Sequence, residues 1–159
     1  MNYTNEQWKT LSDRIMLTLR PTQHPVVMKF ISTQEEFDAI PDLTYCQNKA
    51  STCKLIGMAA HFQAAFALTR DHFSGYYCAI NNGCMEVNQE FKDGAILYKA
   101  PTPWHHDQED TKKHIASNMQ FLPETPYLGI VCAPLCNCDI PEADVIALQL
   151  PTQAAFHLL

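Results

Sequence analysis

YLGIVCAPL, residues 127–135, is the stretch on which the fold turns. With ADVIALQL, residues 143–150, it forms one of the two clearest strand signals: short, apolar, β-branched and bounded by proline or polar residues. Immediately before it, Asp107 to Met119 is charged on one side, with Asp107, Glu109 and Asp110 early and Lys112, Lys113 and His114 late. That order suits a helix dipole, so the segment reads as a surface helix feeding the strand. The same alternation extends upstream. PVVMKFI, residues 25–31, reads as a buried strand, AAFALT at 64–69 as a weaker one, and GAILYKA at 94–100 as a strand closed by Pro101 and Pro103. Between them, Thr4 and Gln7 fit a capping box, and Trp8, Leu11, Ile15 and Leu19 recur at helical spacing until Pro21. Thr33 to Phe37 predicts a turn of helix, Thr44 to His61 a longer one, and PTQAAFHLL at 151–159 a helix opening on proline. In 71–87, Asn81-Asn82-Gly83 signals a turn or a helix C-cap. Strands alternating with helices predict an α/β (or α+β) fold: one compact domain over residues 1–159, with a mixed, partly parallel sheet flanked by helices.

Composition bounds the function classes. Hydrophobic residues are 47% and charged residues 18%, with no apolar run near the ~20 residues of a membrane span, so no membrane partner is expected. A formal net charge of −6 and only short basic groupings such as Lys112-Lys113 argue against nucleic acid. Glycine-rich phosphate loops, a nucleophile elbow and paired catalytic carboxylates are absent, which weakens hydrolase and kinase readings.

The chemistry lies in seven cysteines, grouped as Cys46/Cys53, Cys78/Cys84 and Cys132/Cys136/Cys138. Their density is well below the ~8–10% of a disulfide scaffold. The first twenty residues show no basic stretch, apolar core and cleavage site in succession, so a reducing, cytoplasmic setting is expected. There, clustered thiols read as metal-binding or catalytic. On a helix over 44–61, Cys46 and Cys53 share a face but lie about 10 Å apart along the axis at ~1.5 Å per residue. Two thiolates on one zinc sit within roughly 4 Å, so a small tetrahedral ion does not take both, while a larger cluster would if the helix began after Cys46. The plainer alternative is that Cys46, Ala50 and Cys53 form a small-residue packing stripe. A turn at Asn81-Asn82-Gly83 would bring Cys78 and Cys84 to one face, with backbone amides near Gly83 donating to cluster sulfides; packing around a C-cap is the competing reading. Cys132, inside a strand, is expected in the core. Cys136 and Cys138, in the loop after it, are a soft-metal pair, a reactive dithiol or exposed thiols. The spacing C-x3-C-x-C is one residue short of the triplet of radical enzymes that use S-adenosylmethionine, and this length holds no barrel.

Other candidates are weaker. Lys49 and Lys54 stand beside the first group and would lower a thiol pKa or hold an anion, solvated lysine being the plain reading. His61 and His72 would join a thiolate site or serve as axial haem ligands. His105-His106 with Asp107, Glu109 and Asp110 would suit a harder metal, although a solvated helix start explains them too.

Five words of the sequence, LRPTQHPVVMKF, TYCQNKAS, YYCAINNG, TKKHIASNMQFLPETPYLGIVCAPL and ADVIALQLPTQAAFHLL, resemble in the same order the bacterial and archaeal domain-of-unknown-function family 169. The resemblance implies an α/β protein of the cytoplasm, frequent in anaerobes, and supplies no reaction. Its two N-terminal cysteine words fall on Cys46 and Cys78, the other five cysteines being additions of this sequence. Family members continue beyond the segment matching LQLPTQAAFHLL into a half with further cysteines. The chain is therefore expected to be a fragment, a short form, or a subunit whose partner supplies the rest.

These readings combine into one expectation: a cytoplasmic, cysteine-rich metal-binding protein, most simply iron–sulfur, serving electron transfer or a metallocofactor pathway in an anaerobe. The expected metal ligands are Cys46, Cys53, Cys78 and Cys84, with Lys49, Asn82 and Gly83 as cofactor contacts. Zinc and haem are the alternative cofactors. The alternative functions are a thiol-dependent redox or transferase enzyme using Cys84 or Cys136/Cys138, and a non-catalytic subunit, homo-oligomeric or completed by a partner chain.

Overall fold

The computed structural model describes residues 3–100, 105–119, 121, 126–140 and 142–156. The first helix, α1 (Asn5–Leu19), starts where the capping box places it. Thr4 Oγ1 accepts the Gln7 amide at 3.3 Å and Gln7 Oε1 accepts the Thr4 amide at 2.8 Å, satisfying two donors the helix leaves open. Arg20, in the left-handed region at φ 48°, ends the helix before Pro21. After it come β1 (Val26–Ile31), α2 (Gln34–Asp38), β2 (Thr44–Tyr45), α3 (Thr52–Phe62), β3 (Phe66–Thr69) and α4 (Tyr76–Asn81). The single turns α5 (Gln89–Lys92) and α6 (Ala95–Tyr98) lead to α7 (Gln108–Asn118), β4 (Gly129–Pro134), β5 (Val145–Ala147) and α8 (Thr152–Phe156).

The strands form one mixed sheet in the order β2-β3-β4-β1-β5, with β2 and β3 parallel and every other pairing antiparallel. This is the α/β domain expected, with helices around the sheet. All six residues of β4 are buried, because it pairs on both edges and is covered on both faces; it is therefore continuously apolar instead of alternating. On one face Met28, Leu68, Ile130 and Cys132 pack with Leu55 and Ala59 of α3. On the other, Val27, Ile31, Val131 and Ala133 pack with Trp8, Phe37, Leu135 and Ile140. Trp8 buries its ring there and donates Nε1–H to the Ile140 carbonyl at 2.8 Å, so its polar atom is satisfied. Gly129 allows β4 to lie against β3: a Cβ at this position would run into the Leu68 carbonyl and the Thr69 Cα. A third cluster, Ile80, Phe91, Leu97 and Ile115, joins α4 to α7. No helix among the described residues is long and apolar enough to cross a membrane.

Two expected elements are different. The helix expected over 44–61 is a two-residue strand, a loop and then α3. Thr44 and Cys46 donate to the Ala65 and Ala67 carbonyls at 3.0 and 2.9 Å, and Ser51 starts the helix by accepting the Lys54 amide at 3.2 Å. The strand expected over 94–100 is the helical turn α6. Gly94 enters it at φ 77° with the backbone of α7 so close that a Cβ would lie 2.8 Å from the Gln108 carbonyl oxygen, and Leu97 turns into the third cluster. Pro101 and Pro103, expected to close that segment, lie outside the described residues, as do 157–159 at the end of the C-terminal helix.

Candidate functional site

β2 and β3 are parallel, so their carboxyl ends open on the same side of the sheet, the side on which open α/β sheets place ligands. Cys46 is the first residue past β2, half-buried, and the loop from it reaches the first turn of α3. The chain leaving β3 runs alongside. Ala50 and Phe73 form a parallel bridge, with the Ala50 amide donating to the His72 carbonyl at 2.9 Å and the Ser74 amide to the Ala50 carbonyl at 2.8 Å. Cys53 is exposed in the first turn of α3. Its neighbour Lys54 is close enough to Cys46 for the ammonium to favour the Cys46 thiolate, although burial outweighs it and leaves that thiol above its ordinary value.

α4 is fastened to the same turn. It ends in a Schellman motif: the Gly83 amide bonds the Ile80 carbonyl at 2.9 Å, the Cys84 amide bonds the Ala79 carbonyl at 2.9 Å, and Gly83 takes φ 64°. Asn82, buried at the helix end, donates its Nδ2 to Thr52 Oγ1 at 2.9 Å and to the Cys78 carbonyl at 2.6 Å. One side-chain amide thus pins half-buried Cys78 beside the start of α3. Cys53 thus lies in the first turn of α3, Cys46 is near Lys54 of that turn, and Cys78 belongs to the helix whose end is tied to Thr52.

The other thiols are placed differently. Cys84 is buried, donates its S–H toward the Asn82 carbonyl at 3.5 Å, and is pushed up to about 11 by burial, with Arg70 opposing. Arg70 itself is anchored through Nη2 to the Tyr127 carbonyl at 2.8 Å. Cys132, opposite Met28 on β1 and Phe66 on β3, is fully buried and pushed up to about 12, by burial first and by the nearby Cys46 second. It is the core residue the strand pattern implied. Cys136 lies within the tight turn Leu135–Asn137 and Cys138 directly after it, on the opposite face of the sheet; of the alternatives for this pair, two exposed thiols is the one the burial of Cys138 does not fit. Cys138 is buried, donates toward the Ile140 carbonyl at 3.8 Å and is pushed up to about 11 by burial. Cys136 is half-buried against α1, and burial raises it as well. All seven cysteines are free thiols.

Of the expected cofactor contacts, Lys49 is exposed on the loop before Ser51. The Gly83 and Cys84 amides are spent inside the Schellman motif and the Gly83 carbonyl accepts the Tyr127 amide at 3.4 Å, so none of these groups is open to a cluster. Asn82 fastens helices together. Cys46 and Cys53 do not share a helix, so the packing stripe with Ala50 does not form; Cys53 faces solvent. His61 is exposed at the end of α3, its ring against Phe62, and His72 Nδ1 is 2.9 Å from Thr69 Oγ1. Sequence reasoning missed Thr52 and Arg70. Arg70-Asp71-His72, three polar residues directly after an apolar strand, was a visible sign of a site at that strand's end.

Among the described residues, no three His, Cys, Asp or Glu side chains come together closely enough to hold a metal ion. The arrangement offers accessible soft donors around one helical turn, with fewer than a full ligand set in one chain.

No curated protein and no solved structure matches the chain significantly. The model of the uncharacterised ArCR family, domain of unknown function 169, matches residues 14–159, nearly the whole chain, and the protein belongs to that family.

Proposed function

We propose that the protein is a thiolate-dependent metal-binding protein of the cytoplasm, with iron–sulfur chemistry as the class of centre and electron transfer or metallocofactor delivery as its use. What supports this reading is that the thiols left outside the core include three on segments next to the first turn of α3, Cys53 within the turn, Cys46 near Lys54 and Cys78 through the link from Asn82 to Thr52, while Cys84, Cys132 and Cys138 are withdrawn into the core. Thiolates are soft ligands that select iron–sulfur clusters, zinc and copper(I). Burial holds the Cys46 thiol above its ordinary value and Lys54 only partly offsets this, so ligation there requires the metal itself to displace the proton. Donors beyond these three come from a second chain or a small-molecule ligand, which makes the protein a homo-oligomer or a subunit in its loaded state.

Anaerobic purification followed by an absorption spectrum and iron and sulfide analysis tests it. Broad visible absorption with stoichiometric iron and sulfide is expected. Cys78→Ser should abolish loading, whereas Cys132→Ser should keep the metal and lose stability. A colourless, metal-free protein with its accessible thiols fully titratable, or equal loading in the two variants, would overturn the proposal.

A further inference from the structure

The rings of His105 and His114 are in contact, with centroids 5.1 Å apart and planes tilted by 47°. His105 stands two residues before Asp107, whose carboxylate caps α7 by accepting the Asp110 amide at 2.7 Å, and His114 lies two turns along the helix. The chain before α7 therefore folds back along it, and two residues nine apart in sequence present their imidazoles to each other. From this geometry we infer a second, independent metal site: His105 and His114 together chelate a borderline divalent transition-metal ion such as Zn2+.

The separation fits such an ion when each ring turns one nitrogen toward it. With a Zn–N bond of about 2.0–2.1 Å and the ring centre about 1.2 Å behind the nitrogen, each centroid lies about 3.2 Å from the ion; two at a tetrahedral angle are then about 5.2 Å apart. Imidazole nitrogen suits zinc, nickel and copper(II), whereas the thiols of the other site select softer centres, so the two sites differ in metal preference. Asp110 is one turn before His114 on the same face of α7 and is exposed, which adds negative potential where the cation arrives. Its ion pair with Lys113, 3.3 Å long, is solvent-exposed and therefore cheap to rearrange. No third protein ligand is in place among the described residues, so the remaining coordination positions are held by water or an exogenous ligand. Such a site is open for substrate or partner binding, unlike a closed structural one. Two rings that stacked without a metal function would show no coupling in metal affinity.

The test uses the reduced full chain, labelled for NMR and titrated with Ni2+ in a non-chelating buffer. Paramagnetic broadening of the ring Cε1–H signals reports each histidine locally, so nickel taken up by thiols elsewhere does not obscure it. His105 and His114 should broaden together at the lowest nickel concentration, well before exposed His61, and excess Zn2+ should restore both. His105→Gln should raise the nickel needed to broaden His114 by about tenfold or more, as loss of one arm of a chelate does, and His114→Gln should do the same to His105. Broadening of the pair no earlier than His61, or an unchanged response of either ring in the reciprocal variant, would overturn the assignment.

Discussion

Asn82→Ala should release α4 from α3, and the size of the effect follows from two hydrogen bonds. Asn82 Nδ2 donates to Thr52 Oγ1 at 2.9 Å and to the Cys78 carbonyl at 2.6 Å. At a net ~0.5–1.5 kcal/mol each, their loss costs about 1–3 kcal/mol. Two details place the value in the lower part of that range, at about 1–2 kcal/mol by the same scale. The Cys78 carbonyl keeps the Asn82 backbone amide at 3.2 Å, and half-buried Thr52 Oγ1 can take water instead. Asn82 sits at φ −94°, so alanine adds no backbone strain. For a chain of this length the melting temperature should fall by about 2–8 °C. Thr52→Ala should cost less, since Ser51 and not Thr52 caps the helix. Urea unfolding of the two single variants and the double variant, followed by circular dichroism under reductant, should give a coupling energy of about 0.5–1.5 kcal/mol. Additivity to within about 0.3 kcal/mol would mean that the amide does not tie the two helices, and would remove the physical basis for placing Cys78 at the α3 turn.

Native alkylation read by mass spectrometry should modify Cys53 first and Cys46, Cys78 and Cys136 more slowly, with Cys84, Cys132 and Cys138 reacting only on unfolding; modification of Cys132 as fast as Cys53 would contradict its burial. Gly129→Ala should destabilise by about 1–3 kcal/mol because the added carbon meets the β3 backbone, while Gly57→Ala, with nothing within 4 Å, should stabilise by roughly 0.5–1 kcal/mol; chemical denaturation giving both the same sign would refute the contrast. Stability should also fall in mild alkali. The Cys84 and Cys132 thiols stay protonated in the fold to about 11 and about 12, whereas unfolded thiols ionise near ~8.5, so their contribution is complete below the unfolded value and is lost as pH climbs toward the folded ones. Urea midpoints across that range should show a shallower alkaline slope in Cys132→Ala than in the wild type, and an unchanged slope would count against the linkage.

The elements that were legible in the sequence carry a local signal strong enough to survive tertiary context. Thr4 and Gln7 define α1 by reciprocal hydrogen bonds, β4 and β1 are apolar runs, and Asn82-Gly83 supplies the left-handed residue a Schellman ending needs. The misread elements are those whose identity depends on distant partners. Two residues of β2 cannot establish a period, and only pairing with β3 makes them a strand. The apolar run Ala95–Tyr98 fits a strand or a helical turn equally, and the close approach of α7 behind Gly94 decides between them. The seven-thiol pattern was visible, but the division between core and rim was not. Cys84 and Cys53 look alike in sequence; one is sealed under the α4 ending and the other lies on an exposed first turn.

The position of β1 also has a temporal consequence. Its neighbours in the sheet are β4 on one edge and β5 on the other, so Val26 pairs with Pro134 and with Ala147, partners more than a hundred residues later in the chain. During synthesis at ~5–20 residues per second, VVMKFI waits on the order of 5–20 s with both hydrogen-bonding edges unfilled. A run so apolar and β-prone is a template for intermolecular pairing throughout that interval. The yield of the protein in a cell is therefore set less by the final stability of the sheet than by how well the nascent chain is shielded before its last two strands arrive, and slowing translation between α7 and β5 should deplete soluble product without altering the folded molecule.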